Sequence, residues 1–143
     1  KNWKIKLRKE SYQTPSDINN LSLDVILSLL DQSLYFSQNP LQLTTKPFHV
    51  ASLFFENSTR TRCSFEIATH NLGHHFLHFP IESSSLKKGE TLLDTLKMLA
   101  MMGTKAAIIR HSDNSLIHEI TPHSPLSLIN AVSGTRHHPT LSL

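Results

Sequence analysis

The sequence predicts an α/β fold, a parallel sheet with helices on both faces in a three-layer, doubly wound arrangement. Three observations carry this expectation. Short apolar runs of strand type alternate with segments of about ten residues whose apolar positions recur at helical spacing. Two of the helical segments end on a glycine, Gly73 and Gly103, where a left-handed residue is usually needed. The strand-type runs are apolar at consecutive positions, as in strands covered on both faces.

Residues 1–20 are polar and basic and read as an N-terminal tail, leaving residues 21–143 as the domain. Ser22 precedes Leu23, Ile26, Leu27, Leu30 and Leu34, which share one helical face, and Asn39-Pro40 ends that helix. Phe48–Phe55 is the first strand and Thr61–Leu72 the helix that follows it. His75–Phe79 is the second strand, ended by Pro80 and a polar loop. Thr91–Met102 carries Leu92, Leu96, Leu99 and Met102 at helical spacing, and Met98, Met101 and Met102 read as core filler. Ala106–Ile109 is the third strand, Ser115–Ile120 a short helix, and Leu128–Ala131 a fourth strand. Such alternation is the mark of βαβ units.

The 143 residues are the size of one ordinary domain. Gly and Pro number 4 and 7, far too few for a collagen-like or low-complexity chain. No apolar run approaches the roughly 18 residues of a membrane span, and KNWKIKLRKE lacks a signal-peptide core. Fourteen Lys plus Arg against eleven Asp plus Glu give a net charge of +3, which suits small anions as well as nucleic acid. A nucleic-acid partner is not expected, because the basic residues carry no recognisable fold signature or aromatic stripe. The lone Cys63 fits a reducing, cytoplasmic setting and, inside a helix, reads as a small buried residue rather than a nucleophile. The first residue is not Met, which suggests a processed or excised piece.

Function follows from where the polar residues fall. Ligands of an open parallel sheet bind outside the carboxyl ends of its strands. There the first strand is followed by Glu56 to Arg62, the second by Ser84, Lys87 and Lys88, the third by Arg110-His111, and the fourth by Gly134 to His138. Four loops bearing donors or cations on one edge make an anion site from distant parts of the chain. Ser58-Thr59-Arg60-Thr61-Arg62 opens a helix, whose first N–H groups and dipole favour an anion, and Arg60 can clasp two phosphate oxygens. Ser58 as a mere helix cap, with both arginines in solvent, accounts for the same residues. Arg110 likewise reads either as an anion ligand or as the partner of a neighbouring carboxylate, and His138 as a ligand or an idle loop histidine. His70, His74, His75 and His78 invite a metal reading, but no Cys or carboxylate completes a tetrahedral set at a convincing spacing.

Four stretches, FFENSTRTRCSFE, SSSLKKGETLLDT, IIRHSD and GTRHHPT, resemble in content and order the motifs of aspartate carbamoyltransferases. The resemblance runs from about Leu21 to Thr140. STRTR is shared with ornithine carbamoyltransferase, whereas KGETLLDT and His-Pro-Thr look like the aspartate branch. The resemblance implies a carbamoyl phosphate-binding domain in which Ser58, Thr59, Arg60 and Thr61 hold the phosphate and Arg110 and His138 contact the carbamoyl oxygen. It further implies that Ser84 and Lys88 reach a neighbouring subunit's site. Family catalytic chains work as trimers, so the resemblance implies a homotrimer, with a regulatory chain as a further candidate partner. No cofactor and no metal are implied. The expected reaction moves the carbamoyl group of carbamoyl phosphate to the amino group of L-aspartate in pyrimidine synthesis, with Arg60, Thr61, Arg110 and His138 as the catalytic set.

Two departures from the family pattern shape the expectation. Leu141 stands where the family has a Gln that contacts the carbamoyl amide, and leucine can neither donate nor accept. The sequence ends at Leu143, without the aspartate-binding domain and the C-terminal helix that family members return to the first domain. The 143-residue chain is therefore expected to be a truncated catalytic chain that binds carbamoyl phosphate but transfers nothing alone, and to expose apolar surface. Ornithine carbamoyltransferase chemistry and a non-catalytic phosphate-binding module are the competing readings.

Overall fold

The computed structural model describes residues 22–39, 46–83, 86 and 89–131, and its four strands run parallel in the order β2-β1-β3-β4. The elements are α1 (Leu23–Gln38), β1 (His49–Phe54), α2 (Thr59–Asn71), β2 (His75–His78), α3 (Leu92–Met101), β3 (Thr104–Arg110), α4 (Asn114–Ile120) and β4 (Ser127–Asn130). Every element expected within these residues forms, with ends displaced by at most two residues. The tail of residues 1–20 lies outside the described residues, as do Ser84, Lys87, Lys88, Gly134 to His138, and Leu141.

The strand order fixes which face each helix covers. The chain steps from β1 to β2 in one direction, then crosses back over β1 to reach β3 and continues outward to β4. Right-handed crossovers therefore place α2 on one face and α3 with α4 on the other. The packing agrees. Val50, Ala106, Ile108 and Ala131 gather with Phe54, Phe65 of α2 and Phe76. On the reverse face Ala51, Leu53, Ala107, Ile109 and Leu128 meet Leu92, Leu96 and Leu99 of α3 and Ile117 and Ile120 of α4. β1 and β3 are covered on both faces, so Val50 to Leu53 and Ala106 to Ile109 are buried at successive positions.

Helix ends follow local chemistry. Thr91 caps α3 by accepting from the Asp94 N–H at 3.1 Å, and Asp113 caps α4 by accepting from the Ser115 N–H at 2.8 Å. Gly73 after α2 and Gly103 after α3 adopt φ of 75° and 94°, a region that penalises a Cβ. Between His49 and Val50 the partner on β3 jumps from Thr104 to Ala106, so Lys105 is an extra residue at the start of β3.

Two expectations about burial are corrected. Met98, Met101 and Met102 are exposed, the last two at 89% and 71%, and do not fill the core. The buried stripe of α3 runs through Leu92, Thr95, Leu96 and Leu99, and the methionines fall beside it or past the helix end. Cys63 lies in α2 as expected but is exposed. The inward stripe of that helix is Thr61, Phe65 and Thr69, and a residue two positions from Thr61 points away from the sheet. The apolar face of α1 is uncovered: none of its residues is buried, and Leu23 and Leu34 are 68% and 63% exposed.

Candidate functional site

In a sheet of this order the reversal of winding occurs between β1 and β3, where the helices that follow the two strands depart to opposite faces. Phe54, the last residue of β1, pairs in register with Arg110, the last of β3. The Phe55 N–H donates to the Arg110 carbonyl at 2.9 Å, carrying the ladder one residue beyond the strands. On the other side of β3 the Ala131 N–H donates to the Ile109 carbonyl at 2.8 Å. Three chain segments are thereby locked together at the carboxyl edge.

Arg110 is the hub of that edge. Its Nη1 donates to the Ala131 carbonyl at 3.2 Å, and its Nε lies 3.3 Å from Oε2 of Glu56, just past β1. The latter contact is an ion pair without hydrogen-bond alignment, since the buried Nε makes no directed bond. The expected alternative role for Arg110, a partner of a neighbouring carboxylate, is thus the one seen. The guanidinium is mostly buried and Glu56 half-buried, so solvent screens the pair less than a surface contact. Among the described residues the carboxylate beside this cation is that of Glu56, on the loop after β1.

The start of α2 supplies the second part. Ser58 occupies the N-cap position with φ of −150°, yet its side chain makes no cap hydrogen bond. Its Oγ instead donates to the Thr61 Oγ1 at 2.9 Å. The simple-cap reading of Ser58 therefore does not hold, since its side chain gives the first turn no cap hydrogen bond. Thr61 is buried, Thr59 and Arg60 are exposed, and no acidic residue stands in the first turn. A helix start with hydroxyls beside it, no bond from its N-cap side chain and no acidic residue in its first turn is suited to an oxyanion.

His111 follows Arg110 and is held on two sides. Its ring meets Phe55 edge-on with centroids 4.7 Å apart, and its Nδ1 accepts from the Asp113 N–H at 2.9 Å. In the neutral ring the proton is then on Nε2, which leaves that nitrogen a donor. Ser58, Thr59, Arg60, Thr61 and Arg110 all belong to the two segments that leave this edge; Ser84, Lys88 and His138 lie outside the described residues. The sequence reasoning missed Glu56 and the Ala131 carbonyl as partners of Arg110. Glu56 was visible as a carboxylate following a strand, but its meeting with Arg110 depends on β1 and β3 being neighbours. Among the described residues no group of three or more His, Cys, Asp or Glu is placed to hold a metal ion. Among them, too, no helix is long and apolar enough to cross a membrane.

The model of the aspartate/ornithine carbamoyltransferase family's carbamoyl-P binding domain matches residues 15–143. The chain belongs to this family. Solved carbamoyltransferase structures share its fold. Aspartate transcarbamoylase from Trypanosoma cruzi, in complex with aspartate and phosphate, is 28% identical, with a TM-score of 0.79 over 89% of this chain and 42% of that one. Anabolic ornithine carbamoyltransferase from Campylobacter jejuni is 29% identical, with a TM-score of 0.75 over 90% of this chain and 41% of that one. The catalytic subunit of aspartate transcarbamoylase from M. jannaschii is 32% identical, with a TM-score of 0.71 over 87% of this chain and 42% of that one. The chain thus spans about two-fifths of the length of these carbamoyltransferases.

Proposed function

We propose that this chain provides the carbamoyl phosphate site of an aspartate carbamoyltransferase. The observation that carries the reading is the meeting, at one sheet edge, of an α2 start that has no acidic residue and no cap bond from Ser58 with Arg110 held by the Glu56 carboxylate. Ser58, Thr59, Arg60 and Thr61 would take the phosphate, with Arg60 supplying a forked, charge-assisted contact. Arg110, His138 and Thr61 would face the carbamoyl oxygen, and Ser84 and Lys88 would reach the site of a neighbouring subunit in a homotrimer, alongside a regulatory chain. The setting is cytoplasmic, in keeping with the free thiol of Cys63.

The reaction needs no cofactor. The unprotonated amino group of aspartate attacks the carbamoyl carbon, and negative charge grows on the carbonyl oxygen. A fixed donor aimed at such an oxygen is typically worth about 3 kcal/mol. Holding both substrates in contact lowers the barrier further. The C–O bond to phosphate then breaks; the leaving phosphate gains charge where the helix start and Arg60 favour it, and takes up the proton that the attacking nitrogen sheds. Arg110, anchored by a carbonyl and a carboxylate before substrate arrives, needs little reorganisation to act.

Aspartate rather than ornithine is the proposed acceptor because of KGETLLDT and His-Pro-Thr; the family model itself covers both branches. For the 143-residue chain alone the expected behaviour is binding without transfer. Titration calorimetry with carbamoyl phosphate should give saturable heat for the wild type and at least about a tenfold loss for Arg60→Ala. No binding by the wild type would remove the proposal. Appreciable carbamoyl aspartate formed by this chain alone would overturn the binding-only expectation, and citrulline formed from ornithine would overturn the choice of acceptor.

A further inference from the structure

At the opposite end of the sheet, β1 and β2 each begin on a histidine. Register pairs His49 with His75, and their exposed rings lie with centroids 5.0 Å apart and planes inclined at 32°. Registered residues of parallel neighbours project to the same side, so the two rings leave the sheet together. An imidazole nitrogen binds zinc at about 2.0–2.1 Å, which sets the ion about 3.2 Å from the ring centroid and puts two rings on one tetrahedral ion about 5 Å apart. The observed spacing therefore matches two imidazoles sharing one ion.

We propose that His49 and His75 form a two-imidazole site for a divalent transition-metal ion such as zinc, with water filling the remaining positions. The site is separate from the carbamoyl phosphate site by the length of β1, roughly 17 Å. The neighbouring segment is well fixed: His74 stacks on Phe48 at 3.8 Å, and the His75 N–H donates to the Phe48 carbonyl at 2.9 Å. The neutral imidazole ring is the form that ligates. With two protein ligands the binding is exchangeable, and its structural effect is to stitch edge strand β2 to β1. A search of the sequence for spaced ligands groups His70, His74, His75 and His78 and overlooks His49, which only the pairing of β1 with β2 brings in.

The test is zinc titration of the full chain, followed by calorimetry and by histidine ring resonances in NMR. One equivalent of zinc should shift the His49 and His75 rings together. His49→Ala and His75→Ala should each weaken that site at least about tenfold, while His78→Ala, at the far end of β2, should leave it unchanged. The resonance readout uses the wild type and does not depend on a variant folding. Zinc that moves other histidines first, affinity indifferent to both substitutions, or no saturable binding would each overturn the proposal.

Discussion

Arg110 and Glu56 show how two side chains set the resting charge of the candidate site. The guanidinium keeps its ion pair at 3.3 Å and its carbonyl contact at 3.2 Å, so its position is fixed before any ligand arrives. Under the proposed function, that carboxylate would compete with the anion for the same cation. Glu56→Gln removes that competitor, preserves the side-chain shape and leaves Arg110 anchored on Ala131. Phosphate affinity of the chain should rise several-fold, most visibly at low salt, where unscreened charge matters most. Equal or weaker phosphate binding by the variant would mean that Glu56 positions Arg110 rather than opposing the ligand. Arg110 itself was legible from sequence as the polar end of an apolar run. Its partners were not, because Glu56, Arg110 and Ala131 come from three segments whose adjacency is a matter of strand order. Cys63 was misread for a related reason: helical membership was clear, but the inward direction of α2 is defined only by where Phe65 and Thr69 pack.

At the level of elements, the glycines that close α2 and α3 do what their placement suggests. Gly103 sits at φ of 94°, and a Cβ built there would meet nothing within 4 Å. Any penalty from Gly103→Ala is therefore conformational rather than steric, about 1 kcal/mol, readable as a lower midpoint in urea with an unchanged slope. A neutral substitution would show that the turn can relax. Strands and helices were readable because each signal is local: apolar runs for β1 and β3, a Leu stripe for α3, and Ser22, Thr91 and Gly73 as punctuation. The exposure of α1 was not readable from its own periodicity. Its apolar face is as regular as that of α3, yet α3 is covered by the sheet and α1 carries no buried residue. Periodicity records that a face is apolar and says nothing about what covers it.

For the molecule as a whole, the shifted ionisable groups set the direction in which pH acts on stability. Burial and neighbouring His75 hold the His74 pKa below its ordinary value of about 6.5, so its contribution is complete above that pH and fades as acid protonates the ring. Asp94, bonded by the Thr91 hydroxyl and paired with Lys97, and Asp113, bonded by Ser115, are both held below the usual carboxylate range. Their contribution is complete above about pH 4 and is lost as pH falls further. Thermal unfolding should therefore weaken in two stages on acidification, and His74→Gln should flatten the first. Parallel pH profiles for wild type and variant between pH 8 and 5 would discard the assignment to His74. The sheet also dictates an order of assembly during synthesis. Val50 must find Phe76 and Ala106, 26 and 56 positions downstream, before β1 has both neighbours. A ribosome-bound intermediate lacking β3 would leave one flank of the most apolar strand open to other chains. Slow maturation and dependence on chaperones are what such distant pairing brings to a newly made polypeptide.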